Sequence, residues 1–191
     1  MIIKSNKINN ALNKLHKGDM IIYATDTLYG LGVDATNSDA ICKLNKLKKR
    51  TTPLSIMLKS IYEIENYASV LKSEFNIIKK ILPGPFTLLL KSKPSNLSNL
   101  VCHSSNKVGI RVPNNEFCLK LLEKFKKPII TTSVNIHGEK SLNNIDEIEE
   151  KFFNINTYEG NVNNDSNGST ILDFMENKIN IIRQGDGIFN L

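Results

Sequence analysis

Two groups of basic residues in the chain could bind an anionic ligand. Lys48, Lys49 and Arg50 stand together at the end of a predicted helix. They could clamp phosphate groups, or they could only complement the negative end of the helix dipole. Lys107 and Arg111 lie four residues apart on one face of a predicted strand and could hold a carboxylate. The alternative is an edge-strand Arg111 with its guanidinium in water.

Two segments rich in hydroxyl groups follow predicted strands. Residues 25–32 read TDTLYGLG, and residues 131–135 read TTSVN. Hydroxyl and amide groups at these places could donate hydrogen bonds to phosphate oxygens or to an amino acid, although they could equally cap helices or turns. Ligands of α/β sheets usually lie in the loops beyond the strand ends.

The glycines of the first segment match a dinucleotide pattern only superficially. Gly30 to Ala35 fits G-x-G-x-x-A, but the motif does not open directly into a helix and has no acidic residue about 20 positions later. The glycines could instead serve a tight turn. The sequence also lacks the G-x-x-x-x-G-K-[ST] motif, so any ATP would be held without a P-loop.

Taken together and in their order, these motifs resemble those of the YrdC/TsaC family, the threonylcarbamoyl-AMP synthases, in its single-domain form. The resemblance extends over nearly the whole chain. The matching blocks are YATDTLYGLG at 23–32, K-x-R at 48–50 followed by Pro53 and Leu54, PGPFT at 83–87, VGIRVP at 108–113, S-x-N at 133–135, STILD at 169–173 and RQG at 183–185.

The resemblance implies an α/β (mixed α+β) domain, with an open twisted sheet flanked by helices around a concave basic groove. It implies a nucleotidyltransferase that forms threonylcarbamoyl-AMP and pyrophosphate from L-threonine, bicarbonate and ATP, for modification of tRNA. Mg²⁺ is expected to accompany ATP, with no protein ligands for it evident. A downstream threonylcarbamoyl-transferase complex is the expected recipient of the product, and direct tRNA or RNA contact is a further expectation.

The resemblance also assigns roles to individual residues. Lys48 and Arg50 are expected to stabilise the charge that develops on the phosphates. The residues expected to bind threonine are Thr25, Arg111, Thr131 and Ser169. The residues expected to contact ATP are Lys48, Thr52, Lys107, Ser133, Asn135, Ser141 and Arg183.

Four positions depart from the family's pattern. Ala24 and Gln184 stand where many members have proline, and Asn115 replaces the histidine of R-x-P-x-H. Met57 stands where many members have a histidine that contacts the substrate, and methionine cannot donate that hydrogen bond. The Met57 change bears on the geometry of the threonine site more than on the class of reaction.

Two alternative functions remain open. A non-catalytic RNA-binding module of the same fold would use the basic groove for phosphate contacts, although the absence of Trp and the 7% aromatic content leave few stacking platforms. A carbamoyl-adenylate former that uses carbamoyl phosphate is the second alternative. That domain normally lies within a much larger protein.

Composition agrees with a small domain that binds anions. The chain has 191 residues, of which 40% are hydrophobic, so we expect one domain over 1–191. The formal charge of +6 favours phosphate-bearing partners, unless lysine serves only as solubilising surface. Three cysteines without CxxC spacing, and no signal peptide, predict a reduced, cytoplasmic protein.

Strand and helix patterns interleave along the whole chain, which predicts the same fold class independently of the resemblance. Helices are expected at 8–15, from 38, 61–67, 73–81, 117–125 and 145–153, and strands at 20–24, 54–58, 86–90, 107–112, 128–132, 170–174 and 179–182. Residues 25–36 and 161–168 are expected to be loops, the second of them mobile.

Overall fold

A mixed β-sheet runs through residues 1–49, 53–175 and 178–190, the part of the chain that the computed structural model describes. Its strands within these residues are β1 (Ile2–Ile3), β2 (Ile21–Ala24), β3 (Tyr29–Asp34), β4 (Ser55–Met57), β5 (Ala68–Ser69), β6 (Phe86–Ser92), β7 (Lys107–Arg111), β8 (Ile129–Ser133), β9 (Asn156–Tyr158), β10 (Thr170–Asp173) and β11 (Asn180–Arg183).

The sheet is open, because its strand order β1-β9-β2-β3-β8-β4-β7-β6-β10-β11 does not close on itself. β5 pairs with β6 beside this path. The sheet contains both parallel pairs, such as β4 with β7, and antiparallel pairs, such as β3 with β8. The order brings β3, β8, β4 and β7 side by side, although they come from four separate parts of the chain.

Helices cover both faces of the sheet. Their bounds are α1 (Ile8–His16), α2 (Ser38–Lys48), α3 (Lys72–Ile81), α4 (Glu116–Phe125) and α5 (Ile145–Lys151), with a 3₁₀-helix at Ile61–Asn66. Asparagine side chains cap three of these helices: Asn37 accepts from the Ala40 amide at 3.0 Å, and Asn115 and Asn144 cap α4 and α5. These caps satisfy amides that the first helical turn leaves without partners.

Alternate residues of the strands belong to two separate apolar clusters, one on each face of the sheet. On one face, Leu31 and Ile56 pack with residues of α2, α3 and α5. On the other, Tyr23, Met57 and Ile129 pack with α1 and α4. Because successive side chains of a strand point to opposite faces, the period-two pattern of the sequence determines which residues enter each cluster.

The expected mixed α/β fold, an open sheet flanked by helices, is confirmed. The prediction of a loop over residues 25–36 was wrong for half of that stretch, because β3 occupies Tyr29–Asp34. Gly30 and Gly32 misled the prediction: they alternate with the buried Leu31 and Val33 and lie where Tyr23 and Thr131 approach the backbone closely. The short strands β1, β5 and β9 carried no recognisable pattern.

No helix in the described part of the chain combines the length and the apolar character that a membrane span requires.

Candidate active site

A polar cavity of about 280 Å³ opens on the sheet face that α1 and α4 cover. The same strands supply both the apolar cluster and the cavity. Ile129 and Met57 are buried in the cluster, whereas Thr131 and Ser55, two residues away on the same strands, line the cavity. The site is thus a place where the period-two pattern changes from apolar to hydroxyl side chains.

The turn between β2 and β3 forms one wall and is held by its own hydroxyl groups. Thr25 Oγ1 donates to the Leu28 carbonyl at 2.7 Å and accepts from the Thr27 amide at 3.1 Å. Thr25 and Thr27 are buried at 3% and 1% exposure and still line the cavity. These hydrogen bonds therefore hold both threonines at fixed positions beside the cavity.

Arg111 stands at the end of β7 and is the cation of this wall. Its Nη2 donates to Asp26 Oδ1 at 2.9 Å and to Thr27 Oγ1 at 3.2 Å. Arg111 is ion-paired and also lines the cavity, so it lies where a ligand carboxylate could reach it. A lone edge-strand Arg111 in water is excluded by its 8% exposure.

Residues of β8 form the floor, since Thr131, Thr132 and Ser133 all line the cavity. Thr131 and Ser133 are two residues apart and present a row of hydroxyl groups on one face of the strand. Gly30 on the neighbouring β3 lets this row approach, since a Cβ there would lie 2.7 Å from Thr131 Oγ1 and 3.2 Å from Thr25 Cγ2. A side chain at position 30 would displace both threonines.

Arg183 and Ser169 form the opposite wall, on β11 and immediately before β10. Arg183 Nη2 donates to the Ser169 carbonyl at 2.6 Å, and Ser169 Oγ shares a hydrogen bond of 2.7 Å with Thr87 Oγ1. Burial and the charge of Arg111 lower the pKa of Arg183. Arg111 and Arg183 both line this cavity.

Lys48 lies behind the cavity rather than in its lining. It is 1% exposed, and its Nζ donates to the Ser133 carbonyl and to Asn135 Oδ1, each at 2.6 Å. Asn135 in turn accepts from Ser133 Oγ at 2.8 Å and donates to the Glu139 carbonyl at 2.6 Å. In this conformation the ammonium group secures the turn that carries Ser133.

The other expected residues fall into three groups. Ser141 lines the cavity and also a neighbouring cavity of about 380 Å³, which shares Leu28 and Asn167 with the first. Lys107 is not in the cavity lining, and its Nζ pairs with Asp173 Oδ2 at 2.6 Å. Arg50 and Thr52 lie outside the described residues.

Two of the four departures from the family pattern have local structural roles. Asn115 caps α4 by accepting from the Cys118 amide at 3.0 Å. Gln184 Nε2 donates to the Gly187 carbonyl at 2.8 Å. Met57 is fully buried in the apolar cluster under α1 and α4 and does not line the cavity.

The sequence reasoning assigned no role to several residues that line the cavity. Thr27 and Thr87 belong to the blocks that carried the resemblance, so their motif was the available signal. Asn167 belongs to the Asn- and Gly-rich stretch that had been expected to be a loop. Ser55 gave no signal, because a serine in a short strand is unremarkable before its neighbours are known.

Comparison with known proteins places this chain in a family. The profile of the Sua5_yciO_yrdC family, described as telomere recombination, matches residues 13–185. The chain belongs to the Sua5/YciO/YrdC family. A putative threonylcarbamoyl-AMP synthase of Methanocaldococcus jannaschii is 37% identical over 172 residues, which are 88% of this chain and 80% of that protein. The resemblance drawn from the motifs is thereby confirmed.

Solved structures of the family share the fold closely. The structure of Pyrococcus abyssi Sua5 complexed with L-threonine has a TM-score of 0.87 and 27% identity, covering 97% of this chain and 57% of that longer one. Escherichia coli YciO has a TM-score of 0.88 at 23% identity, covering 97% of this chain and 92% of YciO, which shows the fold alone.

Proposed function

We propose that the protein is a threonylcarbamoyl-AMP synthase, a nucleotidyltransferase that uses L-threonine, bicarbonate and ATP. The observation that carries the proposal is the meeting of Arg111, Arg183 and a set of hydroxyl groups in one cavity. The curated relatives named for this activity and the Sua5 structure complexed with L-threonine support it. A cavity of about 280 Å³ lies at the small end of ligand pockets, which suits an amino acid beside part of a nucleotide.

Threonine would occupy the end of the cavity at Arg111. The guanidinium is the side chain best shaped to hold a carboxylate. Thr25 and Thr131 would orient the ligand through their hydroxyls, and Ser169 would complete the site from the far wall. Each of these four residues lines the same cavity, as a shared ligand requires.

ATP would occupy the end at Arg183 and extend towards the neighbouring cavity through Ser141. Ser133 lines the same cavity, with Asn135 and Lys48 directly behind it. Lys48 would contact the phosphates only by exchanging its present partners for them. Arg50, Thr52 and Lys107 remain predicted ATP contacts.

The chemistry needs positioning and neutralised charge rather than a covalent nucleophile. The threonine amine and bicarbonate form an N-carboxylate and release water. An oxygen of that carboxylate then attacks the α-phosphorus, and the bond to the bridging oxygen of pyrophosphate breaks. Arg183 and Lys48, whose ammonium group lies beside Ser133, would stabilise the charge of the phosphates.

Mg²⁺ would be carried by the ATP phosphates. The described residues that line the cavity offer hydroxyl and amide oxygens and no carboxylate. The described residues also contain no group of three His, Cys, Asp or Glu side chains placed to hold a metal. They do not form a protein cage for the ion, and no step is assigned to it.

The product would pass to a threonylcarbamoyl-transferase complex acting on tRNA in the cytoplasm. The proposal is tested by measuring pyrophosphate release from purified protein supplied with L-threonine, bicarbonate, ATP and Mg²⁺. We expect release that stops when threonine is omitted. Absence of pyrophosphate release, or release that does not depend on threonine, would refute the assignment. The remaining alternative would be an RNA-binding module of the same fold, which salt-sensitive binding of RNA would reveal.

A further inference from the structure

Asp26 lies directly behind Arg111 and uses both of its carboxylate oxygens. Oδ1 accepts from Arg111 Nη2 at 2.9 Å, and Oδ2 accepts from the Asn114 amide at 3.2 Å. The Asp26 side chain is 7% exposed and that of Arg111 is 9% exposed. A carboxylate with a donor on each oxygen cannot turn without losing one of them.

These contacts join two segments that are far apart in the chain. Asp26 belongs to the turn after β2, whereas Arg111 and Asn114 belong to the end of β7 and the connection to α4. Thr27 of the same turn gives Arg111 Nη2 its second partner at 3.2 Å. The turn therefore fixes the same guanidinium nitrogen from two sides.

The two residues of the ion pair, Arg111 and Asp26, differ in whether they line the cavity. Arg111 lines the cavity and Asp26 does not. Arg111 Nε is also buried and has no hydrogen-bond partner among the described residues. A buried guanidinium with one nitrogen satisfied and another without a partner depends on the retained contact for its orientation.

We propose that Asp26 is a positioning residue for substrate binding: it holds the Arg111 guanidinium at one orientation towards the cavity and balances its charge. The inference rests on the proposed function, because it takes the ligand of Arg111 to be the carboxylate of an amino acid. A carboxylate binds best to a guanidinium whose plane is already fixed, since less side-chain freedom is lost on binding.

The test compares Asp26→Asn with a matched control, Asp34→Asn. Asp34 is also a buried carboxylate, it pairs with Lys127 Nζ at 2.8 Å, and it lies at the opposite end of β3 and outside the cavity lining. Asp26→Asn leaves only one acceptor oxygen, so either Arg111 or the Asn114 amide loses its partner. We expect the KM for threonine to rise about tenfold and the KM for ATP to stay within about twofold in Asp26→Asn. Neither value should change in Asp34→Asn.

A double substitution separates positioning from a general effect on the fold. If Asp26 acts through Arg111, then Asp26→Asn should add less than about twofold to the threonine KM of Arg111→Gln. Should Asp26→Asn not fold, Asp26→Glu keeps the charge but displaces it, and the threonine KM should still rise, by about threefold.

Three results would overturn the inference while the wild-type protein is active. These are an unchanged threonine KM in the Asp26 variants, an equal rise in both KM values, or an equal change in Asp34→Asn. Full additivity with Arg111→Gln would overturn it as well. A wild-type protein without threonine-dependent pyrophosphate release is a different result, since it refutes the proposed function and not the role of Asp26 alone.

Discussion

The two arginines that line the cavity, Arg111 and Arg183, differ in whether a carboxylate forms a salt bridge with them. Arg111 is paired with Asp26 at 2.9 Å, so its charge is balanced before any ligand arrives. Arg183 is held by the neutral carbonyl of Ser169 at 2.6 Å and forms no salt bridge with a described residue. Arg111 therefore has a carboxylate in direct contact, whereas Asp186, the carboxylate that acts on Arg183, does not form a salt bridge with it.

This difference matches two kinds of anion. A balanced guanidinium offers directed hydrogen bonds, which suits the single carboxylate of an amino acid. An unbalanced one adds long-range attraction, which suits the several charges of a triphosphate. Arg183 is an exposed residue, so its charge can attract a polyanion from solution and is open to screening by salt.

Removing Arg111 should have the largest effect. In Arg111→Ala we expect the threonine KM to rise about 100-fold, because the carboxylate loses its guanidinium and Asp26 is left buried without its cation. Initial rates of pyrophosphate release against threonine concentration at saturating ATP measure this. The KM for ATP should stay within about threefold, and equal effects on both substrates would contradict the comparison.

Removing Arg183 should raise the KM for ATP more than the KM for threonine, the reverse of the effect expected for Arg111. Arg183→Gln is expected to raise the KM for ATP about tenfold and that for threonine less than about threefold, since the positive charge is lost at the ATP end. The measurement is the same titration with ATP as the varied substrate. A larger effect on threonine than on ATP would show that the two ends were assigned the wrong way round.

Lys48 tests whether the ATP end depends on the turn behind it. Lys48→Met removes the ammonium that binds the Ser133 carbonyl and Asn135, so the Tm should fall and the KM for ATP should rise about fivefold. Lys127→Met is the control, because Lys127 pairs with Asp34 away from the cavity. An unchanged Tm with lost activity would instead favour direct contact between Lys48 and the phosphates.

Salt should change the KM for ATP more than the KM for threonine, although by less than the substitutions do. Raising NaCl from about 0.05 M to about 0.5 M should increase the KM for ATP about threefold, because screening weakens attraction by an unbalanced charge. The KM for threonine should change by less than about 1.5-fold, since Arg111 and Asp26 are buried together. Parallel kinetics in the two buffers check this, and equal salt dependence would count against the distinction.

Local patterns predicted most of the elements that frame the site. The apolar face of residues 8–15 became α1, and the alternation after Lys107 became β7. The helix expected from residue 38 became α2, which Asn37 caps. β3 was missed because its glycines serve close approach to Tyr23 and Thr131, which are packing partners that local sequence does not reveal.

The sequence alone determined the family, the fold class and the polar residue types near strand ends, because motifs and periodicity are local properties of the chain. Only the tertiary structure decided which of those residues share a cavity. In the folded protein Lys48 lies behind Ser133, Lys107 forms an ion pair with Asp173, and Asp26 forms an ion pair with Arg111. Those contacts join residues far apart in the chain, and strand order and register set them rather than any pattern within one segment.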